Sequence, residues 1–237
     1  MQTARQHNFE VAFERTALLG DRQTPPGATR VALVVHGGGA SCAARFQGLR
    51  EFLHAQNVET LAFDCVGHGR TAGPQEGTTL RQRGEQVKAV IGAQQLALPA
   101  LTLVGFSMGA YVVVKVAIDL GVQRVCLAVP AAYATEAYDV PFGPAFSQIL
   151  RTPGSWEKSD AFGLVRGYTG QLLVISAEAD SVIPKEIPLR YATVRGPLSA
   201  TVHHVVTGAG HQLMPHFAQA PDAQLAAYTD VAALCHR

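Results

Sequence analysis

Short, continuously apolar runs alternate along this chain with longer segments of mixed polarity. The runs are Val31–Val35, Val58–Phe63, Leu101–Gly105, Val125–Val129, Leu172–Ser176 and Thr201–Val206. Each has the length of a strand and is too short for a helix. Most are Val-rich and lack polar alternation, the pattern of parallel strands covered on both faces. The segments between them, such as Ala43–Gln56, Leu80–Leu96, Met108–Leu120 and Gln212–Cys235, are long enough for crossover helices. Strand–helix alternation of this kind predicts an α/β fold: a mostly parallel, doubly wound sheet with helices on both faces. Upstream, the region from Phe9 to Leu19 reads as one or two edge strands, and Asp21–Thr29 (DRQTPPGAT) reads as a turn cluster. Residues 1–237 read as a single domain of this kind.

One segment breaks the alternation. Residues 131–168 hold seven of the chain's 17 aromatic residues, together with Pro141, Pro144 and Pro153. One crossover helix does not need that length, so the segment predicts a short lid insertion, with Phe146 and Trp156 as its substrate-facing side chains. The competing reading is a surface helix pair that packs for stability alone.

Composition narrows the function classes. The chain has 237 residues, 48% of them hydrophobic and 16% charged, which fits a globular protein. Basic and acidic residues nearly balance, for a net charge of +1. That argues against a nucleic-acid partner and against a polybasic membrane contact. No apolar run approaches the ~20 residues of a membrane span. The first ten residues lack the apolar stretch of a signal peptide, so the expected location is cytoplasmic. Cys42, Cys65, Cys126 and Cys235 form no C-x-x-C pair, and are expected as free thiols rather than metal ligands.

The candidate chemistry begins at Gly105-Phe106-Ser107-Met108-Gly109, a G-x-S-x-G motif between an apolar run and a helical segment. That context suits a sharp strand-to-helix turn that lifts a serine hydroxyl clear of a sheet. His36-Gly37-Gly38-Gly39 directly follows the run Val31–Val35. Glycines there let backbone N–H groups approach an oxyanion, so the N–H of Gly38 and the N–H of Met108 are the expected donors. A serine nucleophile needs a base. Of nine histidines, His211 is preferred, because it lies in the Gly-rich loop Thr207–His211 after the last run. His203 and His204 lie inside that run and read as structural, and His216 is a weaker backup. The acid that orients the base is expected after Ser176, where Asp180 is preferred and Glu178 competes.

Taken together, HGGG, GFSMG, AEADSVIP and GAGH resemble the α/β-hydrolase family of serine esterases, lipases and S33-like aminopeptidases. The resemblance runs from about residue 30 to the C-terminus. The turn Asp64–Arg70 (DCVGHGR) is similar to one in that family, and the resemblance implies a structural role for it. It also implies Ser107 as nucleophile, His211 as base and Asp180 as acid, with no metal or organic cofactor. The expected activity is cleavage of a small to medium carboxylic ester through an acyl-enzyme. Three alternatives stay open: a thioesterase acting on acyl groups bound to a carrier protein; a lyase, cyclase or acyltransferase on the same fold; and a ligand-binding receptor.

Overall fold

The computed structural model describes residues 5–194, 196 and 200–237. Eight strands form one sheet: β1 (Arg5–Phe13), β2 (Thr16–Thr24), β3 (Arg30–Val35), β4 (Val58–Phe63), β5 (Leu101–Phe106), β6 (Arg124–Ala128), β7 (Gln171–Ala177) and β8 (Ala200–Val206). Their spatial order is β1-β2-β4-β3-β5-β6-β7-β8. The first two form an antiparallel hairpin, and β2 runs antiparallel to β4. Every other pairing is parallel. All six apolar runs of the sequence are strands β3 to β8.

The chain alternates faces as a buried strand must. Val31, Leu33 and Val35 of β3 enter one core, and Ala32 and Val34 enter the other. The first core is covered by α2 (Leu80–Ala93), α3 (Met108–Leu120), α5 (Ala161–Gly167) and α6 (Glu186–Thr193). The second is covered by α1 (Gln47–Ala55), α7 (Leu213–Phe217) and α8 (Pro221–His236). A further helix, α4 (Pro144–Arg151), lies in the long connection between β6 and β7. Among the described residues, no helix is long and apolar enough to cross a membrane.

Two expectations are corrected here. Asp21–Thr24 is not part of a turn but the end of β2. Two of its polar residues are buried against distant partners: Asp21 ion-pairs with Arg50 of α1 at 2.5 Å, and the Gln23 side-chain amide N–H donates to Gln47 Oε1 at 3.0 Å. The segment Gln212–Cys235 is two helices, and Pro221 starts the second, where its missing N–H costs nothing.

Candidate active site

The loops after β3, β5, β7 and β8 all leave the sheet at its carboxyl edge, where open α/β sheets place their sites. Ser107 stands between β5 and α3 with φ 52° and ψ −117°, a conformation that L-residues rarely adopt. The surrounding backbone holds it there. Its N–H donates to the Ala128 carbonyl at 2.9 Å, and its carbonyl accepts from the N–H groups of Ala110 (3.0 Å) and Ala131 (3.2 Å). Glycine at 105 is required by crowding. A Cβ there would lie 2.5 Å from the Gly109 carbonyl oxygen and 2.6 Å from the Ala110 Cα. Val129, beside the same turn, also has positive φ (42°), an unusual state for a β-branched residue.

His211 Nε2 lies 3.1 Å from Ser107 Oγ, and His211 Nδ1 lies 2.8 Å from Asp180 Oδ2. The other Asp180 oxygen accepts the N–H groups of Val182 (2.8 Å) and Ile183 (2.9 Å), which fixes the carboxylate. The two loops are tied together, since the Ala179 N–H donates to the Ala209 carbonyl at 2.8 Å. Glu178 faces elsewhere and accepts from the Gly208 N–H at 2.8 Å. His203 contacts Ser176 (2.8 Å), and His204 pairs with Asp230 (2.7 Å). His216 lies in α7, with no hydrogen bond to Ser107 or Asp180.

The glycine loop after β3 lies against the serine. A Cβ on Gly37 would approach Ser107 Cβ to 3.2 Å, and one on Gly38 would approach Met108 Cε to 3.0 Å. Met108 opens α3, so its N–H has no partner within the helix. Behind the loop, the imidazole of His36 accepts the Cys65 N–H at Nε2 (3.0 Å), which leaves Nδ1 to donate to the Gly37 carbonyl (2.7 Å). Burial holds the His36 pKa well below its ordinary value, with the Arg83 charge adding to the effect. His68 is lowered by the same two causes in the same order.

The turn Asp64–Arg70 is folded around its own carboxylate. Asp64 Oδ1 accepts the Ala43 N–H (2.7 Å) and Oδ2 the Arg70 N–H (3.0 Å). Its main-chain carbonyl accepts the Thr71 hydroxyl at 2.7 Å.

A cleft of about 400 Å³ opens over these groups. Gly38, Ser107, Met108 and His211 line it, with Phe46, Phe106 and Tyr133 supplying aromatic wall. Phe46 and Phe106 stack at 4.1 Å. The structure does not bring Phe146 and Trp156 to this cleft. Phe146 is buried against Tyr133 (5.7 Å) and Phe142 (4.8 Å), and Trp156 packs edge-on against Phe162 (6.2 Å). Their apolar surface is packed against these other aromatic residues. Sequence reasoning missed Phe46, Tyr133 as a cleft residue, and Arg83. A charged residue inside a helical segment gives no sign that it faces inward.

A family model described as the α/β-hydrolase family matches residues 32–170. This chain belongs to the α/β-hydrolase family. No curated protein matches its sequence. Among solved structures it is similar to a predicted CIB-like hydrolase from Thermoplasma acidophilum, with 15% identity and a TM-score of 0.71 over 98% of this chain and 100% of that one. It is also similar to the ferulic-acid-bound Est1E of Butyrivibrio proteoclasticus, at 17% identity and TM-score 0.71, covering 92% and 99% of the two chains. A thioesterase domain from the curacin biosynthetic pathway matches at 18% identity and TM-score 0.68, covering 98% and 99%. Identities this low establish the shared fold.

Proposed function

We propose that this chain is a serine hydrolase that cleaves a small to medium carboxylic ester through an acyl-enzyme on Ser107. The observation that carries the reading is the unbroken chain of hydrogen-bond distances from Asp180 through His211 to Ser107. Ser107 Oγ attacks the ester carbonyl, and its proton passes to His211 Nε2. Asp180 accepts from Nδ1, which fixes the tautomer and stabilises the imidazolium that forms. The N–H groups of Gly38 and Met108 hold the oxyanion. The proton on His211 then goes to the leaving alkoxide. Water, deprotonated by His211, attacks the acyl-enzyme, and its collapse releases the carboxylic acid and returns Ser107. Every proton and acyl transfer is carried by groups of this chain, so the reaction calls for no metal or organic cofactor.

The cleft size suits a substrate of modest bulk. The likeness to a thioesterase domain keeps a second substrate class in view, acyl thioesters borne by a carrier protein. A panel of p-nitrophenyl esters and acyl thioesters of graded chain length separates the two. The ester reading expects faster turnover of esters, abolished by Ser107→Ala. Activity that survives Ser107→Ala overturns the mechanism, and a preference for thioesters overturns the substrate class.

A further inference from the structure

Arg83 is an unusual charged group in this protein. It belongs to α2, yet it is only 2% exposed. The other fully buried arginine, Arg50, is neutralised by Asp21 at 2.5 Å. The acceptors that its side chain reaches are all neutral: the Gly37 main-chain carbonyl (3.1 Å), Met108 Sδ (3.3 Å) and His68 Nε2 (2.9 Å). Among the described residues, no carboxylate pairs with it. Burying a cation without a direct ion-pair partner is costly, and its replacement by an apolar residue of similar size can stabilise a protein. A group kept under those terms invites the question of what its charge and fork accomplish.

The position of its contacts answers that question. The Gly37 carbonyl receives two donors, Arg83 Nη1 and His36 Nδ1–H. No cis peptide bond occurs among the described residues, so the Gly37–Gly38 peptide is trans. In a trans peptide the C=O and the following N–H point in opposite directions. Drawing the Gly37 oxygen toward the buried guanidinium therefore turns the Gly38 N–H away from it. The same Nη1 touches the side chain of Met108, the residue that follows the serine, against which Gly38 packs. The second arm reaches His68, whose Nδ1 lies 3.1 Å from the Val66 carbonyl. Arg83 thus links the loop after β3, the start of α3 and the turn after β4.

We propose that Arg83 is a positioning residue for the oxyanion hole: it clamps the Gly37 carbonyl so that the Gly38 N–H is presented to the cleft, and it polarises that amide toward a developing negative charge. The proposal rests on the serine-hydrolase reading above. Hydrogen bonding to an amide oxygen strengthens the N–H of the same amide as a donor. The buried guanidinium is bonded directly to the peptide that carries the Gly38 N–H, where low dielectric strengthens its pull on charge developing at that N–H. Its contribution is to the transition state, since a planar ester carbonyl carries much less charge than the tetrahedral oxyanion.

The experiment compares wild type with Arg83→Met, Arg83→Lys and the control Arg81→Met, whose native side chain is exposed on the same helix. Three readouts are taken per folded molecule: the rate of fluorophosphonate labelling of Ser107, kcat and KM on the best p-nitrophenyl ester, and affinity for a trifluoromethyl ketone analogue of that ester. Arg83→Met is expected to slow labelling and lower kcat by about 10- to 100-fold, the scale of a misplaced donor. KM should change by less than about 3-fold, ketone affinity should fall in parallel with kcat, and the melting temperature should hold or rise. Arg83→Lys keeps the charge without the fork and should fall between wild type and Arg83→Met. Labelling and kcat unchanged in a folded Arg83→Met overturn the proposal. Should Arg83→Met fail to fold, a folded Arg83→Lys with wild-type labelling, kcat and ketone affinity overturns it equally. A wild-type protein that the fluorophosphonate leaves unlabelled is a different result, which overturns the serine-hydrolase reading and this proposal with it.

Discussion

Gly109 packs so tightly on the end of β3 that a Cβ there would lie 2.5 Å from the Val35 carbonyl oxygen. The His36 carbonyl oxygen would be 2.6 Å away. The first turn of α3 and the loop that carries Gly38 are held together by the absence of that one carbon. Gly109→Ala must push backbone apart, since backbone oxygens cannot rotate away as a side chain can. The expected cost is about 1–3 kcal/mol in urea denaturation, with slower labelling of Ser107. Gly92 in α2 serves as the contrast, because a Cβ there meets nothing within 4 Å. Gly92→Ala should be neutral or stabilise by up to about 1 kcal/mol.

Asp180 and Glu178 make opposite predictions although they lie two residues apart. Asp180→Asn keeps the size of the side chain but presents an N–H₂ or a neutral oxygen to His211 Nδ1, which favours the wrong tautomer. It is expected to lower kcat by about 10⁴-fold while the fold persists. Glu178→Gln should change kcat by less than about 3-fold, since its carboxylate is occupied by the Gly208 N–H. Steady-state kinetics on one ester decides between them, and a larger loss in Glu178→Gln would reverse the assignment of the acid.

Much of this arrangement was legible in the sequence for a physical reason. Parallel strands covered on both faces are apolar with little interruption, so β3, β5, β6 and β7 announced themselves, while β4 and the half-exposed edge strand β8 were marked by shorter apolar stretches. The serine turn and the glycine loop need small residues at fixed offsets, which a linear reading detects. What escaped detection depends on partners far away in the chain. Asp21 and Gln23 looked like turn residues because Arg50 and Gln47, which satisfy them, lie 29 and 24 residues on. Arg83 looked like a solvated helix residue because its acceptors belong to the loop after β3, the start of α3 and the turn after β4. The aromatic density of residues 131–168 was visible, but not which rings face one another and which face the cleft.

The buried histidines make stability sensitive to acid. The folded pKa of His36 and of His68 is lowered from 6.5. Below pH 6.5 the unfolded chain takes up protons on these side chains that the folded protein does not, so stability falls as the pH drops. Above pH 6.5 both states hold them neutral and the contribution is level. The slope below pH 6.5 is bounded at about 1.4 kcal/mol per pH unit for each histidine. Urea denaturation at pH 7.5, 6.5 and 5.5 reads this directly. Equal stability at pH 7.5 and 5.5 would mean that neither histidine is held neutral in the folded state.

The cover over the first core offers a last test, because it separates the residue that reaches the cleft from those that support it. Tyr133 is buried, lines the cleft and is backed by Phe146 at 5.7 Å. Its contact with the non-reacting part of a substrate would set which acyl or alcohol groups place their carbonyl well against Ser107. Tyr133→Ala is therefore expected to change the order of kcat/KM among esters of three acyl sizes. Phe146→Ala empties a core position instead, and should cost about 3–5 kcal/mol of stability. Any change of preference it causes would come through a Tyr133 ring that has lost its backing. Trp156 is further removed, against Phe162, and Trp156→Ala should leave the preference order as it is in wild type. Melting temperatures and kcat/KM for the three variants resolve these cases. A reordered preference in Trp156→Ala, with Tyr133→Ala silent, would mean that residues 131–168 close over the cleft as a lid when substrate binds. The reverse result assigns specificity to Tyr133, with the stacked pair Phe46 and Phe106 in the same cleft, and leaves the rest of the segment as packing.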